Sequence, residues 1–207
     1  MTPRRHLVVF ARAPVLGRVK RRLAAEIGPL AALRFHRGNT ARLLNRVARD
    51  RRWQCWLALT PDREAGGKRF WRVPCRRIAQ GEGDLGRRMA AALTGLPPGP
   101  VVIVGSDIPG IETRHIAAAF RALGSCDLVF GPADDGGYWL IGGRGRKLPH
   151  DLFIGVRWST AHALTDTLRN VPRRLRVGFA ATLADVDDGA AWQSWLRRSA
   201  GAPAGGA

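Results

Sequence analysis

Apolar and polar residues follow two rhythms in this chain, and the rhythms take turns. HLVVFARAP opens with a short β-rich run. PLAALRFHRGNTARLLNRVA then places Leu30, Leu33, Leu43, Leu44 and Val47 at helical spacing, behind a proline suited to a first helical turn. WQCWLALT reads as a second strand and CRRIAQ as a short third. DLGRRMAAALTGL follows, with Leu85, Met89, Ala92, Leu93 and Leu96 on one helical face and Asp84 as an N-cap. PVVIVG is a continuous apolar run of the kind buried on both faces of a sheet. TRHIAAAFRALG predicts a helix capped by Thr113 and stopped at Gly124, and CDLVFG predicts another buried strand. YWLIG, a helix from about Ser159, a strand near Arg176 to Ala180 and a helix around Ala190 to Arg198 complete the series. Strands alternating with helices predict an α/β fold, a mainly parallel sheet with helices on both faces. One domain is expected over residues 1–198, with a flexible tail, SAGAPAGGA, at 199–207.

A chain of 207 residues with 45% hydrophobic content suffices for one such core. The cysteines Cys55, Cys75 and Cys126 are odd in number and far apart, which suggests neither a disulfide framework nor structural zinc. The N-terminal apolar run is too short for a signal segment and no run spans a membrane, so a cytoplasmic location is expected. A net charge of +18 invites a nucleic-acid reading. Its distribution argues otherwise: lysine occurs only at Lys20, Lys68 and Lys147, and the 31 arginines are scattered in pairs such as Arg51-Arg52 and Arg173-Arg174. That pattern supplies solvated surface charge without a nucleic-acid partner and stays compatible with a small anionic substrate.

In open α/β sheets ligands sit beyond the carboxyl ends of the strands, and three such positions carry chemistry here. After strand one, ARAPVLGRVKRRLA offers Gly17 for close backbone approach and Arg12, Arg18, Lys20 and Arg22 as phosphate donors. It is neither a Walker A loop nor a GxGxxG fingerprint. After the most apolar strand, GSDIPG sets Asp107 at the strand's end, either as a ligand for a hard divalent cation or as a cap for the following helix. Near the C-terminus, DVDDGAAW clusters Asp185, Asp187 and Asp188 ahead of the last helix, where capping is the simpler use. A fourth stretch, GPADDGGYWLIGG, puts Asp134 and Asp135 before two glycines, the composition of a hairpin turn.

FARAPVLGRVKRRLA, QGEGDLGRRM, VIVGSDIPG, GPADDGGYWLIG and GVRWST, in this order, resemble the bacterial transferases described as glycosyltransferase-like or associated with radical-SAM and selenodomain proteins. More distantly they resemble 2-phospho-lactate guanylyltransferases and molybdenum-cofactor nucleotidyltransferases, which share the GT-A fold of nucleotide-diphospho-sugar transferases. The resemblance implies a Rossmann-like sheet that binds an activated nucleotide with Mg²⁺ or Mn²⁺. It assigns Arg12, Gly17, Arg18, Lys20 and Arg22 to nucleotide phosphates, Asp107 and Asp187 to the metal, and Asp134 and Asp135 to catalysis, one of them as general base. Gly136, Gly137, Ser159 and Thr160 would lie on the substrate side, the last two as donors to an anionic acceptor or as simple caps. Departures are Leu16 in place of a frequent proline, Arg21 in place of threonine, and an ending that lacks the threonine, proline and acidic residues of DVDTPEDL. The implied reaction is glycosyl transfer from a nucleotide sugar to a small acceptor. The alternatives are nucleotidyl transfer from a nucleoside triphosphate to a small phosphorylated acceptor and a non-catalytic nucleotide-binding module.

Overall fold

A computed structural model describes residues 3–67, 70–144 and 148–200. Lys68, Lys147 and most of the expected tail, from residue 201 on, lie outside the described residues. The strands are β1 (His6–Arg12), β2 (Gln54–Thr60), β3 (Arg76–Ala79), β4 (Val101–Gly105), β5 (Leu128–Pro132), β6 (Tyr138–Gly143) and β7 (Val177–Phe179). The helices are α1 (Arg21–Ile27), α2 (Pro29–Val47), α3 (Leu85–Gly95), α4 (Thr113–Ala122), α5 (Ala163–Arg169) and α6 (Gly189–Ala200).

The strands form one sheet in the order β3-β2-β1-β4-β6-β5-β7. Only β6 runs antiparallel to its neighbours β4 and β5; the other pairings are parallel. Alternate residues of the central strands feed two layers, as strand geometry requires. On one face Leu7, Val9, Leu57 and Val104 pack with Leu43 and Leu44 of α2 and Ile116 and Phe120 of α4. On the other, Val8, Phe10, Trp56 and Ile103 pack with Met89 and Leu93 of α3 and with Leu152 and Phe153. The expected mainly parallel sheet with helices on both faces is therefore observed.

Local differences have local causes. Helix α1 was expected to be loop; Leu23 is its single fully buried residue, too little to give a seven-residue helix a readable stripe. The helix expected from Ser159 begins at Ala163, because Ser159 has φ +60° and the turns before Ala163 break helical geometry. Asp84 caps α3 by accepting from the Arg87 N–H at 2.8 Å. For α4 the cap is Glu112 rather than Thr113, in a reciprocal box with His115. No helix among the described residues is long and apolar enough to cross a membrane.

A third cluster matters most for the site. Leu23 of α1, Ala32 and Phe35 of α2, and Val186 are buried together, with Trp192 and Trp195 of α6 packed against them. Both tryptophan rings meet the Phe35 ring edge-on, at 5.0 and 5.3 Å. This contact ties α2 to the distant helix α6, and the shared cluster brings Leu23 of α1 against Val186.

Candidate functional site

The strand order reverses direction between β1 and β4, and a cleft of about 280 Å³ opens over the strand ends there. Its floor and one wall are apolar, with Phe10, Met89, Ile103, Ile141, Tyr138 and Trp158 among the lining residues, and Leu85 stands at the edge. Its charged side is acidic: Asp107, Asp135, Asp185 and Asp187 all line it.

Asp107 follows β4 directly. The strand end is pinned from α2, where Asn39 Nδ2 donates to the Ser106 carbonyl at 2.7 Å. His36, buried one turn earlier on α2, donates Nε2–H to the Arg12 carbonyl at 2.8 Å, and its Nδ1 lies 3.7 Å from Asp107 Oδ1. The Val186 N–H reaches the Asp107 carbonyl at 3.4 Å, and the Leu183 N–H reaches the Pro132 carbonyl at 3.1 Å. The segment 183–187 thus runs from the end of β5 to the end of β4. Val186 faces the aromatic cluster while Asp185 and Asp187, one position to either side, face the cleft, the alternation of extended chain.

Lys20 closes this arrangement. It sits in the left-handed region, φ 48° and ψ 51°, as the N-cap of α1, and its side chain is only 3% exposed. Its ammonium lies 3.1 Å from Asp107 Oδ1 and 3.0 Å from Asp187 Oδ1, and donates to the Val186 carbonyl at 2.8 Å. An ammonium has three donors, so all are used within the protein. Burial works against the charge on Lys20, but Asp107 and Asp187 outweigh it and hold its pKa above the usual lysine value. For Asp107, desolvation is likewise overcome, chiefly by the Lys20 ammonium and then by His36, so its carboxyl titrates well below the usual range. Asp185 behaves oppositely: burial, then Asp135, then Asp187 push it up to about 6.

The remaining first-loop cations divide. Arg22 stays with the acids, 3.6 Å from Asp187 and 3.7 Å from Asp188, on a side chain 72% exposed. Arg12 and Arg18 instead line a second depression of about 360 Å³ with Val15, Thr60, Arg63 and Glu64. Gly17 is exposed in the loop between them, with φ +72°.

Asp134 and Asp135 occupy the turn of the β5–β6 hairpin, as their composition predicts. Asp135 Oδ1 accepts the Gly137 N–H at 2.8 Å, and Asp135 and Gly137 line the cleft, whereas Asp134 is exposed outside it. Gly136 has φ +83°, and any side chain there would strike the Ala161 carbonyl, so this glycine lets the hairpin seat against the 161–164 segment. Ser159 and Thr160 line the cleft mouth. The Thr160 hydroxyl is engaged locally, donating to the Arg157 carbonyl at 2.8 Å and accepting the His162 N–H at 3.2 Å.

Asp107, Asp135, Asp187, Arg22 and Gly137 thus come together with Ser159 and Thr160; Arg12 and Arg18 lie at the second depression and Asp134 at neither. Sequence reasoning gave no role to His36 and no individual role to Asp185. The alternation DVD, with its apolar centre, was the available signal for Asp185. His36 carried none, since a histidine on an apolar helix face reads as core.

The donor set suits a hard divalent cation: the Lys20 ammonium draws two carboxylates, Asp107 and Asp187, together, and both keep a face open to the cleft. Among the described residues no group of three or more His, Cys, Asp or Glu is arranged to hold a metal. The protein would therefore supply a minority of the ligands, the usual situation for Mg²⁺ with substrate phosphates.

Of solved structures, a protein from Desulfovibrio desulfuricans G20, provisionally described as a nucleotide-diphospho-sugar transferase, superposes with a TM-score of 0.86 at 28% identity, covering 98% of this chain and 90% of that one. The 4-diphosphocytidyl-2C-methyl-D-erythritol synthase of Anaerococcus prevotii shares the fold at TM-score 0.61 and 13% identity, over 94% and 99% of the two chains. Glucosyl-3-phosphoglycerate synthase of Mycobacterium tuberculosis, solved with Mn²⁺ and UDP, does so at 0.55 and 10% identity, over 95% and 76%. No curated protein matches the sequence. Residues 43–160, more than half the chain, match a family model, and the chain belongs to that family, described as uncharacterized proteins conserved in bacteria (DUF2064).

Proposed function

We propose that this protein is a metal-dependent transferase that moves a glycosyl group from a nucleotide-diphosphate sugar to a small acceptor. The observation that carries the reading is the pair of carboxylates, Asp107 and Asp187, gathered at the switch point of the sheet beside an apolar cleft. The 28% identical neighbour described as a nucleotide-diphospho-sugar transferase supports the donor class, and a neighbour of the same fold holds Mn²⁺ and UDP.

In this reading Asp107 and Asp187 hold Mg²⁺ or Mn²⁺, which supplies positive charge to the departing nucleotide phosphate. Lys20 keeps the two carboxylates converged and offsets their mutual repulsion beforehand, so little reorganisation is left for the binding event. Arg12, Arg18 and Arg22 are the cations in reach of phosphate oxygens around the loop. Asp135 has one oxygen fixed by the Gly137 N–H, which leaves the other to take the proton of an acceptor hydroxyl in the cleft. Tyr138, Trp158 and Leu85 exclude water on the acceptor side.

Nucleotidyl transfer from a nucleoside triphosphate to a small phosphorylated acceptor is the second reading. It is favoured by the depression of Arg12, Arg18 and Arg63, where three guanidinium groups suit a longer phosphate chain. A thermal-shift panel of nucleotide sugars and nucleoside triphosphates, each with Mg²⁺ or Mn²⁺, separates the two. A ligand at 100 times its dissociation constant adds about 2.7 kcal/mol to stability. Stabilisation that survives removal of the metal, or persists in Asp107→Asn, would defeat the metal assignment.

A further inference from the structure

The walls of the cleft bear on what the acceptor is. The apolar wall is built of packed aromatic rings. Tyr138 meets Phe130 edge-on at 5.5 Å and Trp158 at 6.3 Å, and Trp158 in turn lies 6.0 Å from Phe153. The Tyr138 hydroxyl is turned to Thr167 Oγ1 at 3.5 Å. Leu85, at the first position of α3, is a large apolar side chain 43% exposed at the cleft edge. Trp158 Nε1 is buried without a hydrogen-bond partner.

The polar side of the same cleft is anionic. Four carboxylates line it, and the one basic residue among the described lining residues, Arg22, leans toward Asp187 and Asp188. Lys20 has no donor left over. Thr160 spends its hydroxyl on backbone groups, and Arg157, next to the cleft, is committed to both oxygens of Asp166 at 2.8 Å. With Asp107 and Asp187 left to the metal and the donor, an acceptor faces Asp135 and Asp185, and the unengaged side-chain donors beside them, the Ser159 hydroxyl and the Trp158 indole, carry no charge. An incoming phosphate or carboxylate would meet like charge without a free cation to compensate, and like-charge juxtaposition costs several kcal/mol. An apolar body would displace water from surface that gains by being covered.

We infer that the acceptor accommodated by this cleft is an uncharged alcohol borne on a small apolar or aromatic body, and that phosphorylated or carboxylated acceptors are turned away. The inference rests on the transferase reading for the word acceptor, and on the walls alone for the class of ligand. The cleft, near 280 Å³, sits at the lower end of small-ligand pockets, which fits a single ring and a short arm.

Ligand-observed saturation-transfer NMR with 2-phenylethanol and with 2-phenylethyl phosphate, donor absent, tests it. The alcohol is expected to bind and the phosphate ester to show at least about tenfold weaker binding at the cleft. Leu85→Glu, at an exposed position, is expected to weaken the alcohol about fivefold or more, while Leu30→Glu, also exposed, on α2 and away from the cleft, leaves it unchanged. Equal or tighter binding of the ester, absence of alcohol binding, or indifference to Leu85→Glu would each overturn the inference. Because no donor is present, a later failure of every nucleotide to stabilise the protein would count against the transferase reading alone.

Discussion

The ionic cluster at Asp166 and the one at Lys20 are built on opposite plans. In one, Asp166 of α5 receives the Arg157 guanidinium on both oxygens, the Arg157 N–H at 3.2 Å and Arg169 at 3.5 Å. The carboxylate is fully used, and its work is to pin the 157–160 turn against α5. In the other, the cation is the used-up partner: Lys20 is saturated and 3% exposed, while Asp107 and Asp187 remain 51% and 41% exposed toward the cleft. A closed pair fixes structure. A pair of carboxylates drawn together by a buried cation, with faces still open to solvent, has coordination capacity left for something else.

The strongest way to break this contrast is at the open cluster. Asp107→Asn and Asp135→Asn are each expected to lower turnover by about 10² to 10⁴ once a donor is in hand. Asp135→Asn should leave the melting temperature nearly unchanged, whereas Asp107→Asn, which takes one of two counter-charges from the buried Lys20, should lower it as well. Kinetics measured beside melting curves check this, and full activity in Asp135→Asn would return the hairpin turn to a purely structural role. Lys20→Met should act on both axes. It leaves two carboxylates without their shared cation, at a cost of about 2 kcal/mol in stability, below that of a fully buried pair because both acids can rehydrate. Manganese affinity by isothermal titration should fall in the same variant, since the carboxylates no longer converge.

The first loop gives an intermediate effect. Arg18→Ala removes a charge-assisted donor from the second depression and should weaken nucleotide binding about tenfold or more, against less than about threefold for Arg51→Ala or Arg173→Ala. Equal losses at all three would mean that the overall +18 charge, rather than the loop, attracts the nucleotide.

The closed pair has a pH signature. The Arg157 guanidinium holds the Asp166 carboxyl well below its ordinary value, although burial opposes this. A depressed acid stabilises the fold above its unfolded pKa of about 3.9 and loses that contribution as pH falls toward the folded value. The melting-temperature gap between wild type and Asp166→Asn should therefore be a few degrees at pH 6 and shrink below pH 4. Smallest of all, Asp134→Asn, exposed in the turn and outside the cleft, should stay within about 0.5 kcal/mol and leave turnover unchanged.

The two clusters also show what a sequence discloses. Asp107 was legible because four apolar residues in VVIV end abruptly at a polar stop, and strand ends are where ligands bind. Lys20 was legible only as a cation. Its partner Asp187 stands 167 positions away, and nothing local says that an ammonium will be spent on carboxylates rather than on phosphate. The hairpin at Asp134–Gly137 was readable from its turn residues, so β6 could be placed beside β5. That β6 also lies against β4, in the middle of the sheet, depends on packing between distant segments. His36 and Asn39 remained hidden because buried polar groups on a helix gain their meaning from the carbonyls they reach, here Arg12 and Ser106.

The docking of α6 on Phe35 has a consequence for how the site comes into being during synthesis. Lys20 and Asp107 are made early and can meet as soon as β4 pairs with β1. Asp187, and the Val186 carbonyl that takes the third ammonium donor, arrive only when the segment after β7 has left the ribosome and the two tryptophans have closed over Phe35. Until that moment the nascent domain has its sheet but only half of its acidic pair. The acidic pair is thus completed by the segment between β7 and α6, and the ring contacts at Trp192 and Trp195 offer an intrinsic fluorescence signal for its arrival.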